Sequence, residues 1–188
     1  MKKNTFVNMC ATLLFMMLLG SVICFVFISS LGALMEQYFA VKIICQVVAL
    51  LSYLMLLFSP LRNYGERDVN RVRIGVKKEN KLTGLLFGLV LMIPYVLSFL
   101  FLVLGKLGII FDMLPAYRLI NSQFVVLISS CVGSAMTLQE LSWGMLTVIT
   151  LVIPLIIPAA TTLFYFLGYK QISFTEKLMY QKTRDSKK

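Results

Sequence analysis

Histidine is absent from all 188 residues. That removes imidazole acid–base catalysis and every histidine metal ligand. Charge is scarce too: charged side chains make up 14% of the chain, against about 25% in a soluble domain. Acidic residues are the rarer sign, with 8 Asp and Glu against 18 Lys and Arg, for a net charge of +10. No ionisable carboxylate, lysine or arginine lies in the middle of the long apolar runs. Groups at that depth mark proton relays and ion paths, so a proton-coupled pump is disfavoured. The four cysteines, Cys10, Cys24, Cys45 and Cys131, form no CxxC pair and have apolar neighbours. Free cysteine in such places behaves as a small apolar residue. No Ser-His-Asp set, glycine-rich phosphate loop or carboxylate pair stands in a setting that supports catalysis. The expectation is a chain with no enzymatic activity, no cofactor and no metal.

What the chain has in abundance is hydrocarbon. Apolar residues make up 59% of it, and they fall in uncharged runs at 4–35, 43–61, 82–105, 119–139 and 141–169. A helix rises about 1.5 Å per residue, so roughly 20 residues cross a hydrocarbon core of about 30 Å. Only helices or a closed barrel satisfy the backbone there, and continuous apolar runs without period-two alternation argue for helices over a barrel. The pattern predicts an all-α integral membrane protein: a single transmembrane domain with four transmembrane helices, at 6–29, 38–59, 82–104 and 142–169, plus an outer interfacial or re-entrant helix. The first apolar segment is too long for a signal-peptide core and has no small-x-small cleavage site, so it reads as a retained anchor.

Charge then orients the chain. Lys2 and Lys3, the seven basic residues of 62–81 and the six of 170–188 make fifteen of the eighteen Lys and Arg. Cationic segments resist translocation, so both termini and a loop at 60–81 are expected in the cytoplasm, and segment 105–141 outside with Lys106 and Arg118. Run 119–139 is the ambiguous one. Only 12 of its 21 residues are apolar, and a fifth span would put the basic tail outside. It is therefore expected to lie on the membrane or re-enter it.

The loop sequence YGERDVNRVRIGVKKENK is the most charged stretch. Arg71, Arg73, Lys77 and Lys78 are candidate contacts for anionic inner-leaflet lipids. The patch is small and carries acids of its own, so no nucleic acid is expected as a partner. Val72, Ile74 and Val76 alternate with polar residues, which admits a short strand paired with the tail; an irregular or helical loop is favoured. Gly84 and Gly88 form a GxxxG that lets a second backbone approach closely, within the bundle or in a homo-oligomer. Pro94 with Tyr95, and Pro154 with Pro158, are candidate hinge or cavity residues, because proline removes a donor and disturbs the preceding turn. Gln46, Tyr53 and Tyr95 are the most polar groups inside the spans, suited to interhelical hydrogen bonds. A polar pocket containing Tyr95, Thr150 or Thr161 would indicate transport, and a solid bundle would indicate association.

The segments RDVNRVRIGVKKENKLTGLLFGL and LGYKQISFTEKLMYQK resemble inner segments of small membrane proteins of Gram-positive bacteria, a likeness that brings no activity with it. The expectation is a multi-pass protein of a bacterial cytoplasmic membrane. Its partners would be the lipid bilayer and another membrane protein or a second copy, and it would serve as an accessory or regulatory subunit. The alternative is a transport component that binds a neutral or amphipathic ligand.

Overall fold

The computed structural model describes residues 2–76, 78, 80, 82–133 and 137–170, with side chains from Phe6 onward. It is an all-α membrane protein. Helix α1 is Lys2–Gln37, α2 is Phe39–Arg73 and α3 is Thr83–Lys106. Two short helices follow, α4 (Leu114–Ile120) and α5 (Val125–Val132), joined by a 3-10 turn at Ser122–Phe124. The fourth span, Trp143–Tyr169, opens as α6 (Trp143–Thr147), loosens into a π turn at Val148–Val152, tightens into a 3-10 turn at Ile153–Leu155 and ends as α7 (Ile156–Tyr169). Four helices are long and apolar enough to cross a membrane.

Helix α7 packs against both α2 and α3, and α1 packs against α2. Glycine sets how closely α7 approaches. A Cβ on Gly88 would stand 2.5 Å from Cα of Pro158, and one on Gly84 would stand 2.9 Å from Cβ of Tyr165. The GxxxG thus lies inside the bundle. Helices α1 and α3 meet chiefly at the end of the bundle where the chain begins, where Phe6 stacks on Phe87 at 4.8 Å between ring centres. Towards the other end they part, and α4, the 3-10 turn and α5 fill the gap.

The helix ends follow local chemistry. Helices α2 and α3 both stop in a left-handed glycine, Gly75 (φ 70°) and Gly108 (φ 74°). In each case the glycine N–H and the next one fold back on the last turn: Gly75 to Val72 and Val76 to Arg71, Gly108 to Gly105 and Ile109 to Leu104. Only glycine adopts that conformation without a Cβ penalty. At the start of the fourth span, the Ser142 side chain accepts from the Met145 N–H at 3.2 Å, an N-cap.

The second helix runs past the expected end of its span at 59. Segment 60–73 is helical, which is one of the two forms favoured for it, and residues 74–76 form the turn that ends the helix, so Val72–Val76 is not a strand. The reason is amphipathicity. Leu57, Leu61, Tyr64, Gly65 and Asp68 are buried at helical spacing; Gly65 and Asp68 meet α7, and the Tyr64 ring meets Phe87 of α3 and Tyr165 of α7. The 35 residues of α2 extend about 50 Å, well beyond the roughly 30 Å of hydrocarbon. The tail proposed as a strand partner lies outside the described residues.

Candidate functional site

The wedge formed by Asp112, α4, the 3-10 turn and α5 is the most densely hydrogen-bonded part of the interior. Asp112 starts it: one carboxylate oxygen accepts the Leu114 N–H at 2.8 Å and the other accepts the Leu138 N–H at 3.1 Å. Lys106 closes the mouth, donating to the carbonyls of Gln139 at 3.2 Å and of Leu141, with its ammonium 5.2 Å from the centre of the Trp143 ring. The chain then descends through α4 to Asn121, Ser122, Gln123 and Phe124, all buried. Helical geometry breaks there, which leaves backbone groups that must find partners, because none is available from lipid.

Three spans bond to this segment, α1 and α3 through its side chains and α2 through its backbone. From α1, the Ser21 hydroxyl donates to Gln123 Oε1 at 3.1 Å, and the Ser21 carbonyl accepts from the Ser122 hydroxyl at 2.6 Å. From α2, Gln46 Nε2 donates to the Gln123 carbonyl at 2.7 Å while its Oε1 accepts the Val126 N–H at 3.1 Å. Gln46 therefore caps both sides of the break. From α3, the Tyr95 oxygen accepts from Gln123 Nε2 at 3.0 Å. Tyr95 stands halfway along α3, so the wedge reaches about half the depth of the bundle.

The link to the fourth span explains its π turn. In that turn the Ile153 N–H reaches back five residues to the Val148 carbonyl. The next bond in the same register would join Ile149 to residue 154, which is Pro154 and has no N–H. The orphaned Ile149 carbonyl instead accepts from the Tyr117 hydroxyl of α4 at 2.7 Å. Burial pushes the Tyr117 phenol well above its ordinary range, so it stays a donor at all physiological pH. Replacing Tyr117 with phenylalanine leaves that carbonyl without its donor. It is expected to cost about 1–2 kcal/mol, read as a lower thermal midpoint in detergent.

The other sequence candidates are placed as follows. Pro158 packs on Gly88, and both Thr161 and Thr162 donate to its carbonyl, at 3.0 and 2.7 Å. Pro94 interrupts nothing: α3 continues through it, and Ser98 donates to its carbonyl at 2.8 Å. Tyr53 is buried with its ring against Gly20. The Thr150 hydroxyl donates within its own helix to Leu146 at 2.7 Å. Arg71 is half-buried near the end of α2, Arg73 and Lys78 are exposed, and Lys77 lies outside the described residues. The four thiols are free.

Sequence reasoning missed the junction at the basic end of the bundle. Asp68 is 1% exposed and accepts from the Tyr165 hydroxyl at 3.0 Å. Tyr64 meets Phe87 edge to face at 5.0 Å. Gly65 and Gly168 bring α2 and α7 backbone to backbone there, since a Cβ on either would strike main-chain atoms of the other helix. The available signal was a glycine on the apolar face of each helix next to the basic stretches.

The chain matches no known protein family, curated protein or solved structure. Function must therefore be argued from these contacts.

Proposed function

We propose that this membrane protein is an accessory or regulatory subunit that acts by association with other membrane proteins. In this reading it resides in a bacterial cytoplasmic membrane with both termini in the cytoplasm, and it needs no catalytic group. One observation carries the reading: most polar side chains of the interior are already hydrogen-bonded, to a neighbouring side chain or to a backbone group, with the buried Tyr53 hydroxyl an exception. Gln46, Tyr95, Gln123, Thr150 and Thr161 all have partners inside the bundle, so a ligand would have to break existing bonds to meet them. Beyond the apolar part of α2, the helix continues as a stalk whose exposed or half-exposed side chains include Arg67, Arg71 and Arg73. That surface suits anionic inner-leaflet lipids or an acidic partner.

The second reading is a transport component for a neutral or amphipathic ligand. The broken wedge and the π turn favour it, since discontinuous helices build the sites of many transporters. Native mass spectrometry of protein released from gentle detergent separates the two. Association predicts a partner in fixed stoichiometry, lost from the triple variant Arg67→Glu, Arg71→Glu, Arg73→Glu. A chain that leaves the membrane alone, carrying a small molecule, overturns it. Orientation is checked on a chain whose native cysteines are replaced. An impermeant thiol reagent is expected to label cysteine at position 37 in intact cells, and cysteine at 188 only after permeabilisation. The reverse pattern overturns the topology.

A further inference from the structure

The α1–α2 hairpin is longer than the rest of the bundle, and the excess lies at one end. Where the chain begins, three helices are level. Phe6 of α1 stacks on Phe87 of α3 at 4.8 Å, and Tyr64 of α2 meets the same ring at 5.0 Å. From Phe87, α3 climbs about 28 Å to Lys106 at about 1.5 Å per residue. Lys106 lies over the ring of Trp143, which opens the fourth span. An equal climb from Phe6 reaches Phe25 on α1, and one from Tyr64 reaches Cys45 on α2. Burial stops at the same two levels: Cys24 and Cys45 are buried, and none of residues 25–44 between them is. The hairpin thus stands clear of the bundle beyond the level of Lys106 and Trp143.

This overhang is not built for water. Its charges are Glu36 and Lys42, both close to the turn, and α1 is uncharged from 4 to 35. Val22 lies below the level of Lys106, and Val26 and Leu34 lie above it; all three are exposed. The apolar outer surface of the span therefore continues onto the overhang without a break. The exposed residues at the turn are Glu36, Gln37 and Tyr38, polar and amphipathic groups suited to the headgroup zone. Tilt does not absorb the excess. From Phe6 to Met35, α1 is about 44 Å long. At about 40°, the upper end of observed tilts, it still rises about 34 Å, against about 30 Å of hydrocarbon. The stretch of α3 from Phe87 to Lys106, about 28 Å, fits that thickness upright.

We propose that lipid hydrocarbon sheathes the α1–α2 hairpin as far as Met35, so that the bilayer is thicker along this side than along α3 and the fourth span, and long-chain phospholipid is the partner this side selects. The proposal rests on the bilayer-spanning reading of the four helices and is independent of the subunit role.

The test uses the full chain with its native cysteines replaced, in vesicles of monounsaturated phosphatidylcholine with short (fourteen-carbon) or long (twenty-two-carbon) chains. A water-soluble maleimide is supplied on both faces. Single cysteines report the water boundary: Ala33→Cys on the overhang, Ile109→Cys just beyond the end of α3, and Gln37→Cys at the turn as the reference. A thiol in hydrocarbon does not ionise and does not react. Relative to Gln37→Cys, Ala33→Cys is expected to react about tenfold more slowly in the long-chain lipid than in the short-chain lipid. Ile109→Cys, beside the Lys106–Trp143 anchor, should change by less than about twofold. If Ala33→Cys reacts as fast as Gln37→Cys in both lipids, the overhang stands in water and the proposal falls. If it is equally protected in both, a second copy or another protein covers it, and the proposal falls again. An Ile109→Cys rate that tracks Ala33→Cys would mean a level bilayer and overturn the difference in thickness.

Discussion

Replacing Gly168 with valine is expected to unseat the fourth span from α2. A Cβ at this position has no side chain to push aside, because its nearest neighbours are the carbonyl oxygen, carbonyl carbon and Cα of Arg62. Facing it, Gly65 abuts the Tyr165 carbonyl and the Tyr169 N–H. Two backbones in contact yield only if the helices separate, and separation also breaks the bond from Tyr165 to Asp68 (3.0 Å). That takes one partner away from a buried carboxylate. Overpacking alone costs about 1–3 kcal/mol, and the lost bond raises the total to about 3–4 kcal/mol. For a chain of this size the thermal midpoint should fall by roughly 6–15 °C, measured as the monodisperse fraction surviving heating in mild detergent. Gly144 and Gly32 supply the control, since a Cβ on either meets nothing within 4 Å. Alanine at those sites should be neutral or slightly stabilising. If Gly168→Val melts with the Gly144→Ala control, the close crossing of α2 and α7 is not what holds the basic end together.

How much of this was legible in the sequence depends on the force that decides each feature. Hydrocarbon length decided the spans, and the apolar runs mark all four because nothing else keeps about 20 uncharged residues in register with a bilayer. Hydropathy ended α2 near Ser59, whereas the helix runs to Arg73. Its continuation is held by one apolar face, Leu61, Tyr64 and Gly65 around Asp68, and the charges on the opposite face hid that spacing. Run 119–139 was recognisable as too polar to cross and too apolar to float. Its partners were not recognisable, because the pairing of Gln46 with residues 123 and 126 joins positions that only the folded bundle brings together. Pro154 announced a disturbed helix. That the disturbance is a π turn followed by a 3-10 turn depends on Tyr117, 32 residues earlier in the chain.

The wedge itself is most exposed to a single change at Gln46, and Gln46→Leu should be the most damaging substitution in it. Leucine matches the volume and suits lipid better than an amide does, so hydropathy alone would predict a gain. The geometry predicts the opposite. Gln46 is 6% exposed, and its amide satisfies two backbone groups at once, the Gln123 carbonyl and the Val126 N–H. Neither group has a helical partner, because the break lies between them. Orphaning one such group costs about 1–3 kcal/mol, although single side-chain bonds between membrane helices rarely exceed about 1.7. Two groups lost together give about 2–4 kcal/mol. The loss should concentrate in the wedge while the four spans remain inserted. Two measurements therefore need to diverge: hydrogen exchange at residues 121–128 should accelerate by about 30-fold or more for a 2 kcal/mol opening, and helix content by circular dichroism should barely change. Gln46→Glu, protonated at this depth, keeps the acceptor for Val126 and offers one donor to Gln123, so it should recover part of the protection. Unchanged exchange in Gln46→Leu would mean that the wedge is held by its apolar packing, with Phe124 and Ile128 at its core, and that the polar cluster only accompanies it.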